Sequence, residues 1–468
     1  MGTNSPWLRR IACLLATTLL FSGCTVPSIP SSEGATDKDG ATLTVYILQG
    51  FDPQETGVSS SEHLLRQAGI LFEERHPGAT VNVTVGIPAS GGLTAEDAIR
   101  TLNAELAAGD GPDVLVLDGL PLEQLAAQDR LQDVTALKDG LDNDTYFANI
   151  VQTAGGSHAV PVSFSLPIVA GSAPLVSQAK TASDLAALIA EDPAFADALG
   201  AGTGAQELLA AFYPLLIENG TLNQEALVSF LSSTKAVLLA ASERWRTLNP
   251  ESDIDTVELA LQNLSRPAVG SFSSCDLFLE EGTALTLGSL SSAVDYAYLL
   301  LEEERAPQPC AHKPLAEGVA PIFTPHALLG INAATAQPSV AEDFVTFLLS
   351  DEVQENLLGA GMVAGIPVNK SAFTELNADA DGYSVGFMDE DVLGKGEGGT
   401  EEYNRGPLSA EEMTSCVRLI ESATTPVVYD QVIVDALTEA LRHCCYGTTT
   451  VAEASEEAAR VITLRLEA

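Results

Sequence analysis

Short apolar runs and helical stripes take turns along this chain. Leu43-Thr-Val-Tyr-Ile-Leu48 is mostly apolar and bounded by Gly50, which predicts a buried strand. Leu64, Leu65, Ala68, Leu71 and Phe72 recur at helical spacing, and Pro77-Gly78 ends that helix. Val81–Val85 alternates, so one face is expected to be buried. Thr94 with Asp97 predicts a helix cap, ahead of a stripe at Ala98, Ile99, Leu102 and Leu106 that stops at Gly109. Val114-Leu-Val-Leu117 runs without alternation into Asp118-Gly119, the pattern of a parallel strand covered on both faces. Strand, helix, strand, helix, strand is the opening of an α/β fold.

The remainder continues in that style with more helix. The spacing predicts helices over 183–198, 205–217, 223–248, 255–263, 292–304, 339–349, 351–358, 430–443 and 451–466. Ser339 with Glu342, and Thr450 with Glu453, read as capping boxes. Ala284–Leu287 and Leu328–Ile331 predict further strands. Residues 374–410 are low in apolar content and rich in Gly, Asp and Glu, and read as a surface excursion. No internal repeat is found.

Composition narrows the function more than the fold. The chain has 468 residues and a formal charge of −42. A surface this acidic repels nucleic acid and anionic lipid headgroups, so neither is expected as a partner. Residues 374–410 apart, apolar patterning runs through the chain, which is too long for one core and suits two lobes. Beyond the N-terminus no second run of about 18 apolar residues suggests a membrane span. Motifs for catalysis are missing: there is no Gly-x-Ser-x-Gly, His-Glu-x-x-His or Gly-x-x-x-x-Gly-Lys-Ser/Thr. The protein is not expected to be an enzyme or to carry a cofactor, although 64 acids leave room for a glycosidase-type pair in a cleft. No metal is expected either. His443-Cys444-Cys445 lacks a second ligand pair at zinc spacing. Asn377-x-Asp379-x-Asp381-Gly382 begins like a calcium loop, but Met388 stands where a bidentate Glu belongs, so 377–390 reads as a polar turn.

The N-terminus carries an address. Trp7-Leu8-Arg9-Arg10 is a short basic stretch, and Ile11–Phe21 is apolar but too short to span a bilayer. Phe21-Ser22-Gly23-Cys24 resembles the lipobox of bacterial lipoproteins, with Phe21 where Leu is preferred. The resemblance implies that residues 1–23 are a signal peptide and that Cys24 carries a lipid outside the cytoplasm. Residues 24–41 then form the anchor and a tether rich in Ser, Pro, Gly and Thr. Removing 1–23 takes two arginines and no acid, leaving a charge of −44. Past Cys24 stand Cys275, Cys310, Cys416, Cys444 and Cys445. Their order permits pairing of Cys275 with Cys310, and of Cys416 with Cys444 or Cys445, but does not fix it.

Several patterns then follow in one order. They are Phe72-Glu-Glu-Arg-His-Pro-Gly78, the strand Val81–Val85, Leu106–Gly119, His158-Ala-Val-Pro161, Gly330–Ala334, Ala341–Gln354, Gly365–Lys370, and Tyr429 through the helix Val451–Leu466. Together they resemble the extracellular solute-binding proteins of ABC importers, family 1, the maltose-binding type, across roughly 42–468. The resemblance implies a type II periplasmic-binding-protein-like fold, two α/β lobes joined by a hinge with a ligand cleft between them. Lobe 1 would comprise 42–157 and 318–365, and lobe 2 would comprise 158–317 and 366–468. It also implies a monomer that closes on its solute and delivers it to permease subunits.

In α/β lobes, ligands sit beyond the carboxyl ends of strands. That rule nominates Gln49, Gly50, Phe51, Asp118 and Gly119. Asp118 also matches the position of a ligand-contacting carboxylate in sugar binders of the family. In the second lobe the nominees are Ser163, Phe164, Phe272, Gly288, Ser289 and Tyr429, with Tyr429 near a family aromatic that stacks on sugar. By analogy with aromatic pairs, such a plate contributes about 0.5–1.5 kcal/mol beyond area burial. The chain departs from the family where Gly-x-Trp commonly follows a strand, reading Gly288-Ser289-Leu290. Beyond the signal peptide its one tryptophan, Trp245, lies on a long helix between Arg244 and Arg246. The expected function is capture of a small polar solute, a sugar or oligosaccharide, for an ABC importer. A non-sugar solute, a sensor or scaffold, and a surface carbohydrate-active enzyme remain alternatives.

Overall fold

The computed structural model describes residues 40–50, 61–88, 92–192, 201–218, 220–265, 284–306, 308–359, 365–378, 383–388 and 400–467. The lipobox and Cys24, most of the tether, Phe51, Phe272, Cys275 and the middle of the 377–390 loop lie outside those residues.

One sheet is built at the start of the chain. Strands β1 (Thr42–Gln49), β2 (Thr80–Ile87) and β3 (Val114–Val116) are parallel, with β1 in the middle. The strand β4 (Ser163–Ser172) comes next, followed by the short hairpin β5 (Ile217–Glu218) and β6 (Thr221–Leu222). Then follow β7 (Leu285–Leu290), β8 (Cys310–Pro314), β9 (Ile322–His326) and β10 (Leu329–Ile331). β10 returns to the first sheet, antiparallel to β3. The last strands are β11 (Ile366–Pro367), β12 (Tyr383–Met388), β13 (Thr400–Arg405) and β14 (Thr425–Pro426).

β4 organises the second sheet. Its first residues pair with β9 and β11, and its remainder with β7 and β8. Every residue from Ser163 to Gly171 is buried. Hydropathy does not announce this strand, because Pro167 and three serines interrupt it. Pro167 sits where β4 changes partners, opposite Ser289, and its carbonyl accepts from the Leu315 N–H at 2.8 Å. Gly171 (φ 141°) is needed there, since a Cβ would stand 2.2 Å from the Ala284 carbonyl oxygen.

The predicted helices form with small shifts, for example Gln224–Leu248, Thr256–Leu264, Gln431–Cys445 and Val451–Glu467. Helix Ala182–Glu191 covers the first part of 183–198, and the rest lies outside the described residues. The Thr94 and Thr450 caps form as expected. Ser339 does not cap its helix. Pro338 supplies the first helical residue, where a missing N–H costs nothing, so Gln337 becomes the cap without a side-chain bond. The 374–410 stretch contains the β12–β13 hairpin and the end of helix Lys370–Ala378. Asn377, first in the calcium-like pattern, exchanges two hydrogen bonds with the backbone of Leu408.

Buried apolar side chains form two clusters. One fills the first sheet and its helices; the other is built on helices Ala201–Leu216, Gln224–Leu248 and Gln431–Cys445. Helix Gln224–Thr247 is long and apolar enough to cross a membrane, but Leu227, Phe230, Leu231, Val237 and Leu238 are buried in the second cluster. Leu290–Leu301, Phe373 and Leu408–Ala423 pack with the first cluster, although the expected lobe boundaries assign them to lobe 2. Cys416 lies in the first cluster and Cys444 in the second, and Cys416, Cys444 and Cys445 are free thiols, so a Cys416 pairing with either is not formed.

Candidate functional site

Two stretches of chain pass side by side from the first sheet to the second. Val160 and Leu329 exchange backbone hydrogen bonds of 2.9 and 2.8 Å, and Ser163 pairs with His326. β10 and β9 are therefore one crossing stretch, broken only at Ala327-Leu328. Ala327 adopts φ 47°, a left-handed conformation that costs a non-glycine residue about 1–2 kcal/mol.

Asp118 holds that break. Its Oδ2 accepts from the Ala327 N–H at 2.8 Å and its Oδ1 from the Leu328 N–H at 2.9 Å, with Ser61 Oγ donating at 3.4 Å. Burial pushes the carboxyl up to about 7 against the pull of these three bonds. The residue is part-buried. Beyond it Gly119 (φ 79°) accepts the Gln431 N–H at 2.9 Å and pairs with Asp430. A Cβ on Gly119 would lie 3.1 Å from Leu48 and 3.4 Å from Gln431, so glycine allows the approach.

The facing segment, Tyr429-Asp430-Gln431, opens helix Gln431–Cys445. Asp430 caps it through Val432 N–H at 3.0 Å and pairs with Arg465 Nε at 2.7 Å. The Asp430 N–H donates to Tyr213 Oη at 2.8 Å, and the Tyr213 and Tyr429 rings meet edge to face with centroids 5.0 Å apart. Tyr429 is buried and shares a hydrogen bond with Thr324, while Glu207 lies near enough to raise its phenol further. Glu207 accepts from Ser289 Oγ at 2.6 Å, and burial pushes its carboxyl up to about 7.

The structure thus brings Gly119 to Asp430 and Gln431, next in the chain to Tyr429, and Asp118 and Ser163 to the crossing stretches. Gln49 ends β1 opposite Ile87 of β2, and the Gly50 N–H bonds the Ile87 carbonyl at 3.0 Å. Phe164 is fully buried and meets Phe147 and Phe323 edge to face, so its ring belongs to the core. Gly288 and Ser289 stand within β7 rather than after it, because the strand runs on to Leu290. Trp245 is part-buried and donates to Ser252 Oγ at 3.3 Å. Sequence reasoning missed Glu207, Tyr213, Ala327, Asp430, Gln431 and Arg465. Glu207 did leave a signal: it is the one acid on a helix whose neighbours Leu208, Leu209, Ala211 and Phe212 are all buried.

The model of the bacterial extracellular solute-binding protein family matches residues 52–355, well over half the chain. Among solved structures, CpMnBP1 with mannotriose bound is 13% identical, with 90% of this chain and 100% of that chain covered at a TM-score of 0.50. A family 1 extracellular solute-binding protein from Alicyclobacillus acidocaldarius is 17% identical, with 92% and 100% covered at 0.46. The GacH receptor of Streptomyces glaucescens, solved unliganded and with acarbose, is 13% identical, with 92% and 99% covered at 0.46. No match is found among curated protein sequences. Those relatives are binding proteins, the mixed α/β architecture is that of type II periplasmic binding proteins, and the family works outside the cytoplasm. The chain belongs to the family of bacterial extracellular solute-binding proteins.

Proposed function

We propose that this protein is a lipid-anchored, monomeric receptor that captures a small polar solute, a sugar or oligosaccharide, and hands it to the permease of an ABC importer. The observation that supports the binding site is the pairing of Gly119, just beyond β3, with Asp430-Gln431 beside the Ala327 break. Solute touching both sides there would favour a closed arrangement over an open one. Gln49, Gly50, Asp118, Gly119, Ser163, Gly288, Ser289 and Tyr429 are the described nominees for contact, with Phe164 left in the core. The mannotriose held by CpMnBP1 supports the sugar class. The absence of a tryptophan at Gly288-Ser289-Leu290 favours a polar non-sugar solute as the second reading.

A thermal-shift panel tests the ligand class. Mannotriose, maltotriose, amino acids, short peptides and polyamines are each added to the purified protein. A ligand at 100 times its Kd should stabilise by about 2.7 kcal/mol. A shift with a sugar supports the proposal; a shift with an amino acid or peptide alone transfers the protein to the second reading.

The anchor has its own test. One acyl chain holds a protein only marginally, so the multiple chains of a lipoprotein are needed for retention. Cys24→Ala should release the protein from the membrane fraction without altering solute affinity. Continued membrane association of that variant would remove the lipid anchor from the account.

A further inference from the structure

Two helix ends of the second apolar cluster are bonded by chain that belongs to the first. Leu120, Leu122 and Leu125 lie in the first cluster, and Tyr429, Ile433 and Ile462 lie in the second. Between them the Gln431 N–H donates to the Gly119 carbonyl at 2.9 Å. A few residues after Gly119, on helix Leu122–Ala127, the half-buried Gln124 donates from Nε2 to the Arg465 carbonyl at 2.6 Å. Gln431 is the first residue of helix Gln431–Cys445, and Arg465 stands in the last turn of helix Val451–Glu467. The first N–H groups and the last carbonyls of a helix have no partner within it. Both bonds therefore use groups that these helices cannot satisfy themselves.

Arg465 ties the two bonds into one unit. Its carbonyl receives Gln124, and its guanidinium holds Asp430, the residue before Gln431. Val432, one residue further on, packs partly buried against the first cluster. Contacts of this kind part and re-form readily, because water takes over each bond at small net cost. We propose that the end of the C-terminal helix is a latch. By gripping residues 119–124 it biases the two lobes toward the closed arrangement before any solute arrives, so that solute has less to supply. The inference rests on the proposed two-lobed receptor and adds a chain-to-chain contribution to its closure. Gln124 is the positioning residue of the latch.

Residue-resolved amide hydrogen exchange on the purified protein, with no solute added, tests it. The Gln431 amide reads closure, because its acceptor lies on the far side of the junction. The Val432 amide is held by the Asp430 cap at 3.0 Å on its own side, so it reads fraying of the helix instead. Gln431 should be protected in the parent protein. Gln124→Glu keeps the size of the side chain but turns the donor facing the Arg465 carbonyl into an acceptor. It should lower the protection of Gln431 about fivefold, the factor that one net hydrogen bond supports, and leave Val432 as it was. Gln124→Ala removes the donor without adding a charge and should act in the same direction. Exchange of Gln431 in the parent as fast as in a free peptide would overturn the latch. Protection untouched by both variants would overturn it too, as would equal losses at Gln431 and Val432, which describe a fraying helix. Silence of every solute in the thermal-shift panel would instead fail the receptor and leave the exchange result standing.

Discussion

Asp118→Ala should destabilise the ligand-free protein by about 2–4 kcal/mol. The figure follows from two backbone N–H groups, of Ala327 and Leu328, that lose their acceptor in a part-buried site, at about 1–2 kcal/mol each, the lower part of the range for a buried unsatisfied donor. The loss falls at a position already strained, because Ala327 holds φ 47° without being glycine. The carboxylate offsets that strain by fixing both amides at once. Asp118→Asn keeps one acceptor oxygen and should fall between the parent and Asp118→Ala. Urea denaturation followed by circular dichroism reads the difference directly. A carboxylate that served only to meet ligand would leave the midpoint where it was, so an unmoved midpoint would strip Asp118 of its part in the crossing.

Arg465→Ala should cost about 3–5 kcal/mol, the larger of the two effects. Arg465 and Asp430 retain only 10% and 11% side-chain exposure and meet at 2.7 Å. Removing the guanidinium strands a carboxylate in the interior, which costs more than the pair contributed. Asp430 has no second cation among the described residues. The same residue caps helix Gln431–Cys445 and borders Gly119, so the damage should extend to the junction. Asp430→Asn added to Arg465→Ala removes the stranded charge and keeps a side-chain oxygen for the cap. The double variant should therefore recover part of the loss, a coupling that a double-mutant cycle measures. A loss under 1 kcal/mol for Arg465→Ala would contradict the reading of this pair.

Much of the architecture was legible because its elements obey simple periods. β1 and β3 are apolar runs bounded by Gly50 and Asp118-Gly119, and the long C-terminal helices carry clear stripes and caps. β4 was not legible, since Pro167 and its serines imitate a loop, and only the partners on both edges make it a strand. The site was half legible. The strand-end rule located Asp118 and Gly119, but it read the carboxylate as a ligand contact. Its two backbone partners come from residues more than 200 positions away, which no local pattern reports. Phe164 was chosen for its ring, and the ring is enclosed by Phe147 and Phe323. Glu207, 82 residues before Ser289, became meaningful only once the fold placed the two 2.6 Å apart.

Closure on a solute would shrink the molecule, and small-angle X-ray scattering reads that change in solution. The probe is whichever sugar or amine shifts the melting curve, added at 100 times its Kd. The radius of gyration should be smaller with probe than without, and the change should reverse on dialysis, as the chain on either side of Ala327 swings together. An unchanged radius at saturation would contradict it, and would describe a protein that binds without closing.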